Sequence, residues 1–524
     1  MGHRLELRHI GPIEACVVDI DRFTVLTGPQ SNGKSTVAKA IYFFRTVKQD
    51  IVNIMMQGGP EAPSGREHAS WTYTLKQRMR DKFLQLFGTS WIMPDDMEMR
   101  YTYAKGVEIR VFLKPDIHSY EKNYVDIEFS RSLEDYLNDL DSHSFVNINA
   151  PQKQHEENLL SKKLNDPYET VFIPAGRNLI TLLSTQLNYI FTSLEGTQLR
   201  NIDYITRRYT ELILKLKPSF DGGMAGLISR IKDDPAGMKR YEKHKPAINL
   251  LKASVQKVLN GTYRYMDGEE RLYIDDKKYV KINFASSGQQ EAVWVFNLLF
   301  YYLLEDRKVF LILEEPESHL YPESQQTMAE VLALFYNESN AALITTHSPY
   351  ILGTFNYLLF AAQAGKQAEA IKKEVHKRYW IDPVSASAYY IHNGIMDNAL
   401  DSSEKRCTHI GRNPNGHKVR QFKIDGEVLP AGTAPQRCDY LLLNDTVGAS
   451  YYIELKGTDI PKAIQQIEST IELISSSIPQ YTKYFRIVYK SGTHKIFESS
   501  VVKWKKKHKG VVRIERDRIE DVIS

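Results

Sequence analysis

Cysteine is scarce in this sequence: Cys16, Cys407 and Cys438 are the three among 524 residues, and none belongs to a C-x-x-C pair. Zinc-site spacing is therefore absent, and an odd, sparse set of thiols fits a reducing cytosol better than a disulfide framework. Long apolar runs are missing too. The longest, Ala292–Leu304, is too short to span a bilayer and is interrupted by Asn297. The opening MGHRLELRHIGPIEA lacks the apolar stretch of a secretory signal. The expectation is a cytoplasmic protein with no membrane part. Neither sign of charge dominates: 68 Lys and Arg stand against 64 Asp and Glu, and the net +4 is too small to argue for a nucleic-acid partner. No repeat or low-complexity tract occurs. What is present is the composition of a folded protein, 42% hydrophobic and 25% charged. The length suits roughly two to four domains.

Residues 4–27 read as short strands ending in Phe23–Thr27. A helix follows from Ser35, with Val37, Ala40, Ile41 and Phe44 at helical spacing. Strand-like runs fill 100–130. From about 178 to 260 the pattern is helical, broken at the glycine-rich Asp221–Gly226, and 271–280 reads as a hairpin. The runs at 309–313 and 341–345 are continuously apolar, as in strands buried on both faces of a parallel sheet. Residues 397–418 are polar and read as a linker or domain edge. The pattern then restarts, with strands near 419–424, 438–443 and 450–455, a helix at 461–476, and strands near 485–490 and 511–514.

Gly28-Pro-Gln-Ser-Asn32-Gly33-Lys34-Ser35-Thr36 contains G-x-x-x-x-G-K-[ST] between a strand and a helix, the setting of a phosphate-binding loop. Its backbone N–H groups and the helix N-terminus suit phosphates, Lys34 suits the β- and γ-phosphates, and Ser35 suits Mg²⁺. The apolar run before Glu314 and Glu315 delivers two acids to a strand's C-terminal end, where ligands bind in open α/β sheets. Glu314 suits a water-bridged Mg²⁺, and Glu315 the polarisation of an attacking water. Thr345-Thr-His347-Ser348 follows the next strand.

These residues resemble the ABC-type ATPase superfamily, which includes SMC, RecF and OLD-like proteins. Its signature loop is matched by Ala285-Ser286-Ser287-Gly288-Gln289. The resemblance implies ATP and Mg²⁺ as ligands and a homodimer or higher homo-oligomer, with Ser286, Gly288 and Gln289 acting across the interface. It also implies that His347 senses the γ-phosphate. Glu314 departs from the commoner Asp, Ala285 departs at the signature's start, and no glutamine is assigned to the Q-loop. The likeness covers about residues 1–395 and is nearest to bacterial OLD-like AAA ATPases of phage-defence systems, where a segment like Phe172-Ile-Pro-Ala-Gly-Arg177 recurs. Arg177 itself reads as a structural salt bridge rather than an ATP or partner contact. About 250 residues separate phosphate loop and signature, too few for long coiled-coil arms. A compact helical lobe fits better.

Near the C-terminus, Asp439 on one strand precedes Glu454-Leu-Lys456 on the next. Glu454 and Lys456 share a face because strands repeat every two residues. Two carboxylates suit a divalent metal, and a lysine beside them suits water activation at a phosphodiester. The arrangement resembles the PD-(D/E)XK nuclease superfamily, with Gln465 and Gln466 on the helix that follows. That resemblance implies Mg²⁺ or Mn²⁺ at Asp439 and Glu454, with Asp439, Glu454 and Lys456 catalytic. Asp425 reads as a turn residue, the alternative being a further metal ligand. The run Lys503–Lys509 suits phosphates, with Trp504 open to stacking, or is a solvated loop. A TOPRIM nuclease needs a D-x-D that is absent after His347, and His409, Asn413 and His417 are too close together for an HNH site.

The expected fold is α/β: an ABC-type P-loop NTPase at 1–396 with a helical insertion at about 178–260, then a restriction-endonuclease-like domain at 419–524. The expected function is an ATPase regulating a nuclease that cuts DNA or RNA in anti-phage defence, with a possible defence-system partner protein. The alternative is a non-nucleolytic sensor, scaffold or RecF-like clamp whose C-terminal domain only binds.

Overall fold

Val309–Glu314 and Ala341–Thr346 are buried at every position, as unbroken apolar runs demand of strands covered on both faces. In this computed structural model they are β11 and β12 of an eleven-stranded sheet. The others are β1 (His3–Ile10), β2 (Ile13–Ile20), β3 (Phe23–Thr27), β4 (Glu98–Ala104), β5 (Val107–Lys114), β6 (Tyr124–Phe129), β7 (Glu169–Ile173), β13 (Ala386–His392) and β14 (Ile395–Asn398). Their order is β6-β5-β4-β1-β2-β14-β13-β3-β12-β11-β7. Strands β13, β3, β12, β11 and β7 run parallel. Strands β6, β5, β4, β1 and β2 form an antiparallel wing.

The structure describes residues 2–60, 70–88, 93–114, 124–142, 145, 149–179, 181, 203–275, 277–364, 374–400, 408–424, 437–456, 459–474, 478, 480–489, 499–516 and 518–523. Contacts divide the chain into two units, Met1–Leu400 and Asp401–Ser524. No helix among the described residues is long and apolar enough to cross a membrane.

Side chains alternate across β11, and the two faces enter different cores. Leu311 and Leu313 pack with the helices Tyr204–Leu216, Pro235–Leu259 and Ser287–Leu304. Phe310 and Ile312 pack with the Lys34–Arg45 helix and the antiparallel wing. The stretch expected to be a helical insertion contains Tyr204–Leu216, Gly223–Lys232 and Pro235–Leu259, and its break falls at Asp221 and Gly222. Tyr209, Ile213 and Leu251 share a core with the parallel strands. Residues 180 and 182–202 of that stretch lie outside the described ones. A small antiparallel sheet of β8 (Thr262–Met266), β9 (Glu269–Tyr273) and β10 (Tyr279–Lys281) carries the hairpin.

The second unit holds β15 (Thr408–Arg412), β16 (Val419–Lys423), β17 (Tyr440–Asn444), β18 (Ala449–Lys456), β19 (Thr482–Tyr489), β20 (Val512–Arg516) and β21 (Arg518–Val522). Strands β16 to β20 form one sheet in sequence order, antiparallel as far as β18 and parallel beyond it. Helix Ile460–Ile474 lies between β18 and β19 in sequence, and helix Ser499–Lys507 between β19 and β20. The stretch 397–418, read from sequence as a linker or domain edge, contains β15, which pairs in parallel with β21. The His409 side chain in it is shielded against Asp521, which Arg486 also binds.

Candidate functional site

Three adjacent parallel strands bring the motifs together. Thr27 stands opposite Thr346, and Glu314 opposite Thr345, so the loops after β3, β12 and β11 leave the sheet at one edge. Gly33 caps the Lys34–Arg45 helix at φ +101°, a conformation open mainly to glycine. Lys34 is buried, and its Nζ donates to the carbonyls of Gly28 at 2.8 Å and Pro29 at 2.7 Å. Burial lowers its pKa, against the opposing pull of Glu315, Glu317 and Glu314. Ser35 is exposed and Thr36 half-buried in the helix's first turn. The Asn32 side chain ties the loop down. It donates to the Gln30 carbonyl at 2.8 Å and accepts the Asn393 N–H at 2.8 Å.

The acids at the end of β11 and just beyond it differ in setting. Burial raises the pKa of Glu314, while the Ser35 hydroxyl and the Ala175 N–H oppose the rise. Glu314 Oε1 is buried without a hydrogen bond of normal geometry, an orphaned acceptor beside Ser35 that fits a cation or its water. Glu315 is half-exposed at a left-handed φ of +45°, and its carboxylate lies 3.7 Å from His347 Nδ1. Glu317, which the sequence reading passed over, is buried and accepts from the Thr346 hydroxyl at 2.8 Å and the His347 N–H at 2.9 Å. A third acid so soon after the strand was the available signal.

The signature residues open the Ser287–Leu304 helix. Ser286 is its N-cap and forms a reciprocal capping box with Gln289. Gln289 also donates to the Leu259 carbonyl at 2.7 Å, so its side chain is committed within the chain. A Cβ on Gly288 would lie 2.7 Å from the His319 carbonyl oxygen, which makes a glycine necessary for this close approach. Gln290, also passed over, is buried and donates to the carbonyls of Ile282, Asn283 and Ala285, fixing the loop before Ser286. Ser286 and Ser287 are exposed. Arg177 makes a buried ion pair with Glu291, its Nε lying 3.1 Å from the carboxylate.

In the second unit, β17 and β18 pair in a register that puts Asp439 beside Glu454. Each carboxylate accepts an N–H from the other's strand: Asp439 N donates to Glu454 Oε2 at 3.0 Å, and Leu455 N to Asp439 Oδ2 at 2.7 Å. Glu454 is buried. Lys456 ends β18 opposite Tyr489, but its side chain lies outside the described residues, as does Asp425. Gln466 donates to the Arg437 carbonyl at 2.8 Å. Among the described residues, no group of three or more His, Cys, Asp or Glu side chains is gathered to hold a metal.

Two expectations need correction. The basic run is mostly helix rather than loop, and Trp504 is buried against Phe485 with its indole N–H on Glu468, so it offers no face for stacking. Helical spacing turns Lys503, Lys506 and Lys507 outward while burying Trp504.

Residues 3–352 match the family described as AAA ATPase domain. No curated protein matches the chain. Among solved structures, the chain is similar to an SmcHead bound to the C-winged helix domain of ScpA, at 13% identity over 77% of this chain and 98% of that one, with a TM-score of 0.36. An Smc head domain with an extended coiled coil, bound to the C-terminal domain of ScpA from Pyrococcus furiosus, is 13% identical over 75% and 94% of the two chains, with a TM-score of 0.30. An SMC head domain from Thermotoga maritima is 12% identical over 76% and 98%, with a TM-score of 0.31.

Proposed function

Because this chain belongs to the AAA ATPase domain family, we propose that it hydrolyses ATP between two copies of itself and that ATP state governs a metal-dependent nuclease in its C-terminal unit. The observation that carries the ATPase reading is the convergence of Lys34, Ser35, Glu314, Glu315 and His347 at one edge of the parallel sheet. The backbone N–H groups of 28–35 and Lys34 hold the phosphates. Ser35 and the orphaned Glu314 oxygen are suited to hold Mg²⁺, which when bound supplies positive charge against the phosphate oxygens. Glu315 accepts a hydrogen bond from the attacking water, and His347 lies beside it to contact the γ-phosphate. The exposure of Ser286 at a helix N-terminus supports its meeting the γ-phosphate bound by a second copy.

For the second unit, the paired carboxylates of Asp439 and Glu454 support a nuclease that holds Mg²⁺ or Mn²⁺. The outward lysines of Ser499–Lys507 support a DNA or RNA partner. A place in anti-phage defence, with a partner protein, rests on the resemblance to OLD-like ATPases alone. The same outward lysines support a second reading. In it the C-terminal unit binds nucleic acid or a protein without cutting, as part of a scaffold or repair clamp.

Incubating the protein with plasmid or RNA, with and without ATP and Mg²⁺ or Mn²⁺, separates the two. Metal-dependent cleavage lost in Lys456→Ala and altered in Glu315→Gln supports the nuclease. ATP turnover without cleavage supports the scaffold.

A further inference from the structure

The Arg177 guanidinium is fully buried and touches two parts of the ATPase site at once. Its Nη1 donates to the Glu314 carbonyl at 2.6 Å and the Pro174 carbonyl at 2.8 Å, and its Nη2 to the Glu315 carbonyl at 3.0 Å. Its Nε donates to the backbone carbonyl of Glu291 at 3.3 Å, and the Glu291 carboxylate completes an ion pair. Glu291 sits in the second turn of the helix that begins at Ser287. One planar side chain therefore holds the peptide groups on either side of the Glu315 Cα and the helix that carries the signature loop.

We propose that Arg177 is a positioning residue that couples the N-terminal turns of the Ser287–Leu304 helix to the backbone of Glu315, so that a shift of that helix is felt at the Glu315 carboxylate. The inference rests on the ATPase reading above and adds a residue to it.

Other contacts make the link stiff. The Glu291 carboxylate also accepts the Asn178 N–H at 3.2 Å, and the Thr181 hydroxyl donates to the Gln290 carbonyl at 3.1 Å. Gln290 in turn fixes the loop before Ser286. On the opposite side, Gly288 packs directly against the His319 carbonyl, in the segment that follows Glu315. The Glu315 carbonyl receives both Arg177 and the Ser318 N–H, while the Glu315 N–H is held by the Thr345 carbonyl at 2.9 Å. Glu315 is thus held at both ends in its left-handed conformation. Such a conformation persists where the surroundings over-determine it, and Arg177 is one of the groups doing so. A guanidinium suits the task because it reaches several acceptors in one plane, which an ammonium cannot do.

The test compares steady-state ATP turnover, nucleotide binding and thermal unfolding of the parent, Arg177→Lys, Glu291→Gln and the double variant. Arg177→Lys keeps the buried positive charge but loses the planar fork. Glu291→Gln keeps the shape and loses the ion pair while leaving Arg177 its carbonyl bonds. The expected result is a fall in kcat of about 10-fold or more in Arg177→Lys with KM and ATP affinity near the parent's, because misplaced catalytic groups cost rate more than binding. A smaller fall is expected in Glu291→Gln, and a double variant no worse than Arg177→Lys alone. Arg177→Lys with a parental kcat overturns the inference. So does a loss of kcat matched by loss of ATP binding, the mark of a purely structural role. If Arg177→Lys does not fold, Glu291→Gln decides by the same split between kcat and KM. A parent that turns over no ATP overturns the ATPase reading itself, and is thereby distinguished from a failure of the coupling alone.

Discussion

The carboxylate of Glu317 accepts the backbone N–H of His347 at 2.9 Å, tying the loop after β12 to the loop after β11. The same oxygen accepts the Thr346 hydroxyl at 2.8 Å. His347 is therefore aimed by Glu317 as it faces Glu315.

Glu317→Ala takes away the acceptor of the buried Thr346 hydroxyl and of the partly buried His347 N–H. It is expected to cost about 1–3 kcal/mol of stability in chemical denaturation and to lower ATP turnover with it. Glu317→Gln, which keeps an acceptor oxygen, is expected to lose less of both. Equal stability and turnover in Glu317→Ala and the parent would contradict the role.

Gly288→Ala sets a methyl group against the His319 carbonyl, 2.7 Å from its oxygen. The backbone must give way, at a cost of about 1–3 kcal/mol. The expected outcome is a lowered melting temperature together with slower turnover, because the displaced segment follows directly on Glu315.

The motifs of the proposed nucleotide site were legible because each is local. A buried apolar strand, a glycine-rich loop and an acidic strand end are written in contiguous residues, and their loops share one edge because the strands are parallel neighbours. What joins those motifs was not legible. Arg177 and Glu291 come from distant parts of the chain, and no local pattern pairs them. Asn32 sits in the right loop but turns its side chain to Asn393. Trp504 looked like part of a charged surface, yet helical spacing puts it on the buried face. The strand at 408–412 was hidden because His409 and Arg412 in it are partnered by Asp521 and Glu520 of β21.

Stability in the first unit is expected to fall as pH rises through the titration of His244. Hydrogen bonds to Glu338 and Asp306, at 2.7 and 2.8 Å, raise its pKa above the ordinary value of 6.5, against the effect of burial. Lys243 and Arg378 also approach these two carboxylates. Since the folded pKa is raised, the contribution is fully present below the unfolded pKa and is lost as pH climbs through the folded one. Denaturation from about pH 6 to about pH 9 is expected to show a steeper fall for the parent than for His244→Gln. Identical slopes would contradict this.

In the second unit, Mg²⁺ or Mn²⁺ is expected to raise the melting temperature through the Asp439–Glu454 pair. Asp439→Asn should remove that shift, with the ATP-site variant Glu314→Gln as a control that retains it. Equal metal shifts in the parent and Asp439→Asn would contradict a metal at the pair.

Mixing two inactive variants tests the shared nucleotide site most directly. Lys34→Ala lacks a phosphate contact, and Ser286→Arg blocks the exposed signature loop. If each site is built from both copies, neither variant turns over ATP alone, but a mixture recovers part of the parental rate because mixed pairs contain one intact site. A mixture as inactive as its components, or Ser286→Arg turning over ATP at the parental rate by itself, would contradict the account.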